Sequence, residues 1–204
     1  MKNFLFTALA VVAVSVSAVA GGKEKAANTT YKVDAGASKI KWVGKKVTGE
    51  HAGYVSFKSG TVSYDGKNVT VGNAVVDMNS ITCSDLEAAK GGDKLVGHLK
   101  NADFFDVEQH PTAEFKLTSV VPAKDGDNTH KVKGTLTIKG VTNAVEFPAR
   151  IEVKDKTLVL RADVTFDRTK YGIKYGSASV MEGLGDKAIY DDVLFSLALV
   201  ARTN

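Results

Sequence analysis

The chain has 204 residues, with 27 Lys and Arg against 23 Asp and Glu, which gives a formal net charge of +4. Because both signs are interspersed and no long basic block occurs, the charge gives little support to a nucleic-acid-binding protein, and we predict no nucleic-acid partner. Cys83 is the single cysteine, which excludes an intramolecular disulfide. We expect it to be buried as a small apolar side chain.

The N-terminal segment has the layout of a secretory signal peptide. Residues 1–3 are a short, positively charged start, residues 4–16 are mostly apolar, and residues 17–20 offer small side chains for cleavage. The apolar stretch is short for a membrane-spanning helix, which needs about 20 residues. We therefore predict cleavage after Ala20, a periplasmic or secreted protein, and no stable membrane anchor afterwards. Residues 21–30 (GGKEKAANTT) are predicted to form a flexible tether.

From Tyr31 onward the sequence alternates apolar and polar residues, the pattern of β-strands with one buried face. Turn-forming segments at 65–68 and 124–128 separate such strands. Pro148 interrupts a strong strand pattern and predicts an edge or a bulge there. Many strands joined by short turns predict an all-β domain over residues 31–204, an antiparallel sandwich or barrel. The clearest inward-facing stripes are Phe115, Leu117, Ser119 and Val121; Val132, Gly134, Leu136 and Ile138; Val145, Phe147, Ala149, Ile151 and Val153; and Leu158, Leu160, Ala162, Val164 and Phe166.

Residues 84–100 depart from this alternation and predict short helices. The stretch Ser84-Asp85-Leu86-Glu87 has the pattern of a capping box, and Gly91-Gly92 would end that helix. Asp93 would cap a second helix with Leu95 and Leu99 on one face. If the sheet closes into a barrel of about eight strands, the interior has room for side chains or one small ligand. The two leucines, with Phe104 and Phe105, would then form an apolar lid over one end.

Motifs that carry catalysis or metal binding are absent from the sequence. It has no G-x-S-x-G, P-loop, G-x-G-x-x-G or H-E-x-x-H pattern. His51, His98, His110 and His130 are not spaced as a compact zinc site, so we predict no metal and no cofactor. The loop at 167–176 combines Arg168, Lys170 and Lys174 with Tyr171 and Tyr175. It fits an anion-binding mouth as well as a solvated loop whose tyrosines cover the core.

Seven short segments, taken together and in order, carry a family resemblance. They are YKVD at 31–34, DKL at 93–95, HLK at 98–100, DFFD at 103–106, PTAEF at 111–115, VKGTLTIKGV at 132–141 and FDRTKYG at 166–172. With these segments the chain resembles the YceI-like family of exported bacterial proteins over nearly all of residues 31–201. The resemblance implies a lipocalin-like, eight-stranded antiparallel barrel that binds a long polyisoprenoid in an apolar channel, without known catalysis.

The leading hypothesis is therefore an exported protein that holds a polyisoprenoid or similar amphiphile in the barrel. The tail is predicted to contact Trp42, Phe57, Leu99, Phe104, Phe115, Leu136, Phe147, Leu160 and Phe166, and the head group is predicted to contact His98, Arg168, Lys170 and Tyr171. Two alternatives stay open: an enzyme that uses His98 as a general base in the same cavity, and a filled barrel with a structural or stress-response role. A homodimer is a further expectation.

Overall fold

A computed structural model describes residues 28–203, and these form an antiparallel barrel with one short α-helix. The predicted signal peptide and most of the predicted tether lie outside the described residues. The tether prediction was wrong at its end, because Thr29 and Thr30 already belong to the first strand. The elements are β1 (Thr29–Val33), β2 (Lys39–Lys46), β3 (Gly49–Tyr64), β4 (Val69–Cys83), α1 (Gly92–Lys100), β5 (Thr112–Asp125), β6 (Asn128–Ile138), β7 (Val141–Lys154), β8 (Thr157–Asp167) and β9 (Ile189–Arg202), with 3-10 turns at Ala88–Lys90, Arg168–Tyr171 and Gly185–Lys187.

Nine strands occupy eight positions around the barrel, because β1 and β2 share one. Both pair antiparallel with β3 on one side and with β9 on the other, β1 near one end of the barrel and β2 along the rest. A turn at 34–38 separates them, in which Ser38 Oγ donates to the Asp34 carbonyl at 2.7 Å. The other strands follow in the order β9-β8-β7-β6-β5-β4-β3, and the β3–β4 pairing closes the ring. The predicted fold class is confirmed.

The two ends of the barrel differ in their connections. At the hairpin end, tight turns join β3 to β4, β5 to β6 and β7 to β8. At the lid end lie α1 with the segment 101–111, the loop 168–188, and the β2–β3 and β6–β7 turns. The β6–β7 turn is Lys139-Gly140, both with positive φ (50° and 74°), which is the backbone of a type I′ hairpin. Its Lys139 Nζ donates to the Ala102 carbonyl at 2.6 Å and so helps to hold the lid segment on the barrel.

The inward stripes are confirmed on β6, β7 and β8, but the prediction for β5 was wrong at its end. The β5–β6 register shifts between Leu117 and Ser119. Val120 therefore faces the interior and Val121 is 44% exposed, since the extra residue reverses the alternation. Pro148 lies outside the β7–β8 ladder, which begins only at Arg150. The proline thus marks the point where that pairing stops.

The helices lie within the predicted segment but begin differently. Ser84 does not cap a helix; its Oγ donates to the Ala52 carbonyl at 3.2 Å, and the Asp85 carboxylate accepts from the Ala52 N–H at 2.7 Å, so the segment is tethered to β3. The helix α1 begins after Gly91, whose φ of 113° suits glycine, and Asp93 lies in its first turn instead of capping it. Cys83 is half-exposed, not buried as expected, and its Sγ contacts Asp85 Oδ1 at 3.4 Å.

Candidate functional site: an apolar cavity along the barrel

The barrel is hollow. Its internal cavity has a volume of about 270 Å³, and the lining is almost wholly apolar. Many inward side chains are only half-buried although their strands place them inside, because they face this open space. Ile189 and Leu199 both line it, ten residues apart on β9. At about 3.3 Å per residue and a strand tilt of about 40°, the channel is about 25 Å long.

Eight of the nine residues predicted to contact a lipid tail line this cavity: Trp42, Phe57, Leu99, Phe104, Phe115, Leu136, Phe147 and Leu160. Phe166 faces inward but does not line the cavity. Its ring packs against Tyr171 at 5.5 Å and Phe195 at 4.9 Å, so it fills the lid end of the core instead. Trp42 forms part of the wall, with its Nε1–H donating to the Thr82 carbonyl at 3.1 Å.

The predicted apolar lid is present. Leu95 and Leu99 of α1 line the cavity together with Phe104 and Phe105, so both adjacent aromatics contact the same space. Phe104 also packs against the rings of His98 at 4.8 Å and Tyr175 at 5.4 Å, which contact each other at 4.7 Å. The lid therefore joins the loop 168–188 through an aromatic cluster as well as closing the barrel.

Arg168 lies at the cavity wall, but its predicted role as a head-group contact does not fit the geometry. The residue is 2% exposed, and all five of its N–H donors are occupied by protein acceptors. These acceptors are the carbonyls of Tyr190, Ile173, Tyr175 and Ile189 and the carboxylate of Asp191, at 2.9–3.1 Å. Burial lowers the pKa of the guanidinium, and the Asp191 charge opposes that shift. Arg168 anchors the loop to β9.

The other three residues predicted for the head group do not line the cavity. Lys170 is exposed and Tyr171 is 2% exposed within the core, where burial raises its pKa. His98 lies on the outer side of the lid, with Nε2 3.3 Å from Asp103 Oδ2. A general base for chemistry in the cavity has to face it, so this position gives the enzymatic alternative no support.

Sequence reasoning missed five polar residues that do line the cavity at the lid end: Lys45, Lys46, His51, Glu114 and Tyr190. A signal for two of them was present. On β2 the inward stripe Ile40-Trp42-Gly44 continues to Lys46, and on β3 the stripe Phe57-Val55-Gly53 continues to His51. Extending each stripe by one step would have found them.

His51 is held by Asp85, with Nδ1 2.8 Å from Oδ2. Burial alone would raise the pKa of Asp85, but hydrogen bonds from the Ala52 N–H, His51 and Cys83 outweigh it and lower the pKa from 3.8 to about 2. The carboxylate is therefore ionised at neutral pH. An ionised carboxylate accepts, so the proton of the imidazole resides on Nδ1 and a neutral ring leaves Nε2 as an acceptor.

Within residues 28–203, no cluster of three or more His, Cys, Asp or Glu side chains is arranged to hold a metal ion. In the same part of the chain, no helix has the length and apolar character needed to cross a membrane.

Fold and cavity together define a closed β-barrel with an apolar interior and a helical lid. The model of the YceI-like domain matches residues 31–201, and the chain belongs to the YceI-like family. A UPF0312 protein of Pseudomonas putida is 32% identical over 177 residues, which cover 81% of this chain and 86% of that one. A UPF0312 protein of Pectobacterium atrosepticum is 35% identical over 102 residues, and that match spans 48%, about half, of each chain.

Solved structures share the fold. The crystal structure of Burkholderia cenocepacia BcnA has a TM-score of 0.66 at 23% identity and covers 82% of this chain and 98% of its own. A polyisoprenoid binding domain from Saccharophagus degradans has a TM-score of 0.61 at 15% identity, with 86% and 99% covered. At these identities the likeness establishes the fold alone.

Proposed function

We propose that the protein is an exported binding protein that holds the tail of a polyisoprenoid or a similar amphiphile along the barrel axis. The observation that carries the proposal is the apolar cavity, about 25 Å long by the strand geometry above. Each methylene transferred from water to such a lining contributes about 0.8 kcal/mol, so a long tail binds without any specific polar contact. The neighbouring structure described as a polyisoprenoid binding domain supports the same ligand class.

Export is part of this proposal and rests on the N-terminal sequence. A short charged start, an apolar run and small residues before Gly21 are the layout of a cleavable signal. A periplasmic or secreted carrier would protect an insoluble tail from water between two membranes, which gives transport, storage or sequestration as its role.

Native mass spectrometry tests the proposal. The full chain is produced with its own N-terminal segment in a Gram-negative host, recovered from the periplasm, and weighed before and after denaturation. We expect a mature chain that begins at Gly21, carrying a stoichiometric lipid that organic extraction identifies as prenyl. The same spectrum gives the oligomeric state. A bare mass that added isoprenoids do not shift would refute the carrier.

Two neighbouring valines on β5 provide matched variants for this experiment. Val120 lines the cavity near the hairpin end, and Val121 is exposed on the outer surface. Val120→Phe should shorten the space for the tail and shift the bound lipids towards shorter chains, or lower their occupancy. Val121→Phe adds the same ring outside and should leave the lipid profile unchanged. Equal effects of the two variants would place the lipid outside the barrel.

A further inference from the structure

Polar side chains are unevenly distributed along the cavity. At the lid end, the inward stripes of β2 and β3 end in Lys46 and His51, with Lys45 and Tyr190 beside them. The hairpin end has an apolar lining that includes Val62, Val69, Leu117 and Val120. An amphiphile in this cavity therefore has only one favourable orientation, with its head at the lid end and its tail towards the hairpins.

Other polar residues in the lining already have partners within the protein. Arg168 has no N–H left to donate. Glu114 forms an ion pair with Lys116 at 3.6 Å, and Asn73 Oδ1 accepts from the N–H and the hydroxyl of Thr61. Neither Arg168 nor Glu114 therefore offers a free cationic donor to a ligand, and Asn73 is a neutral side chain whose oxygen is already used.

The lysines at the lid end are different. Lys45 has one long contact, 3.8 Å to Glu50, in which both side chains are more than half exposed. The ammonium of Lys46 has no hydrogen-bond or ion-pair partner among the described residues. His51 keeps Nε2 available because Asp85 holds Nδ1. The charged groups that stay available to a ligand at the lid end are therefore the ammonium groups of Lys45 and Lys46. Both are hydrogen-bond donors, which complement an anion.

We propose that Lys45 and Lys46 form a subsite for an anionic head group, a phosphate or a carboxylate, at the lid end of the cavity. The inference rests on the proposed function, since a tail in the barrel is what brings the head group to this position. It assigns the head group to the β2–β3 hairpin, not to the loop 167–176, and it names the ligand class as acidic prenyl amphiphiles in preference to neutral ones.

The test uses ligands that share one tail: geranylgeranyl phosphate, geranylgeranoic acid and geranylgeraniol. Trp42 is the single tryptophan and lines the cavity, so its fluorescence reports occupancy directly. The wild-type chain should bind both acids more tightly than the alcohol. K45Q/K46Q should lose about tenfold in affinity for the acids and little for the alcohol, because each exposed charge contact contributes modestly. Salt should weaken wild-type binding of the acids and barely affect the double variant.

K39Q/K41Q is the matched control, because it removes the same two charges from exposed positions on the same strand, outside the cavity. It should change the affinity for the acids less than twofold, roughly the effect of a distant screened charge. Equal wild-type affinity for acids and alcohol, or equal losses in the two double variants, would overturn the subsite while leaving tail binding intact. If none of the three ligands binds, the proposed function fails, and the subsite with it.

Discussion

Replacing Arg168 by alanine tests whether this residue anchors the lid end or binds a ligand. The guanidinium is buried and donates five hydrogen bonds, four to carbonyls and one to the carboxylate of Asp191. Asp191 is also fixed from its other oxygen, which accepts from the hydroxyls of Ser177 and Ser179 at 3.0 and 2.6 Å. Arg168 thereby ties the loop 172–188 to the start of β9.

The expected cost of Arg168→Ala is large, because it leaves several acceptors and one half-buried carboxylate without a donor. Breaking a buried ion pair by removing one partner typically costs about 3–5 kcal/mol. For a domain of this size that corresponds to a melting temperature lower by roughly 6–20 °C. Arg168→Lys keeps the charge but offers three donors in place of five, and we expect it to cost about 2 kcal/mol.

Urea unfolding and thermal melting of the apo protein measure these effects. Arg161→Ala is the control, since Arg161 is an exposed arginine on the neighbouring part of β8, and its loss should change stability by less than about 0.5 kcal/mol. Hydrogen exchange should localise the Arg168 effect to residues 172–188. If Arg168→Ala unfolds like the wild type but loses its preference for acidic ligands, the anchoring argument is refuted, and Arg168 binds the head group as the sequence suggested.

Three further predictions concern other parts of the molecule. Asp85→Asn should make stability depend less on pH at acid pH. The pKa of the Asp85 carboxyl falls from 3.8 to about 2 on folding, so the carboxylate stabilises the fold above pH 3.8 and loses that effect as the pH falls through 2. Melting curves recorded from pH 5 to 2 for both proteins measure the difference. Gly53→Ala should abolish soluble expression or lower the melting temperature sharply, because its Cβ would clash with the Thr82 carbonyl oxygen; a normal melting curve would contradict this packing. His98→Ala should cost about 1–2 kcal/mol of stability, because it removes ring contacts with Phe104 and Tyr175. It should leave prenyl binding, measured by Trp42 fluorescence, intact. A selective loss of binding would mean that His98 contacts the ligand.

The interior of the barrel was predictable from the sequence wherever alternation was regular. On β7 and β8 every second residue is apolar without interruption, and these stripes face inward as predicted. On β5 the prediction placed Val121 inside, but Val120 faces the interior. The bulge adds one residue, and this reverses the face of every residue beyond it. The position of such a bulge depends on how two strands pair, so it cannot be predicted from the sequence of either strand alone.

The polar end of the cavity was harder to predict, for a physical reason. The loop 167–176 is rich in cations and tyrosines, but composition does not show which carbonyls converge on a guanidinium. Two acceptors of Arg168 come from its own loop and three come from residues 189–191 of β9, some twenty residues further on. These acceptors are brought together by the tertiary structure. Reasoning from the local sequence therefore assigned the N–H groups of Arg168 to a ligand, although protein acceptors already use all of them.

The contrast between Arg168 and Lys46 shows how charged side chains can line an apolar cavity. A charge inside an apolar lining is tolerated when its donors are fully used, and Arg168 meets that condition with five protein acceptors. A charge with free donors is tolerated only where water reaches it, and the exposed Lys46 lies at the mouth. In the proposed function the head group of the ligand must also stay near water, so it would lie at the same end as these cations. The apolar tail would then occupy the rest of the barrel.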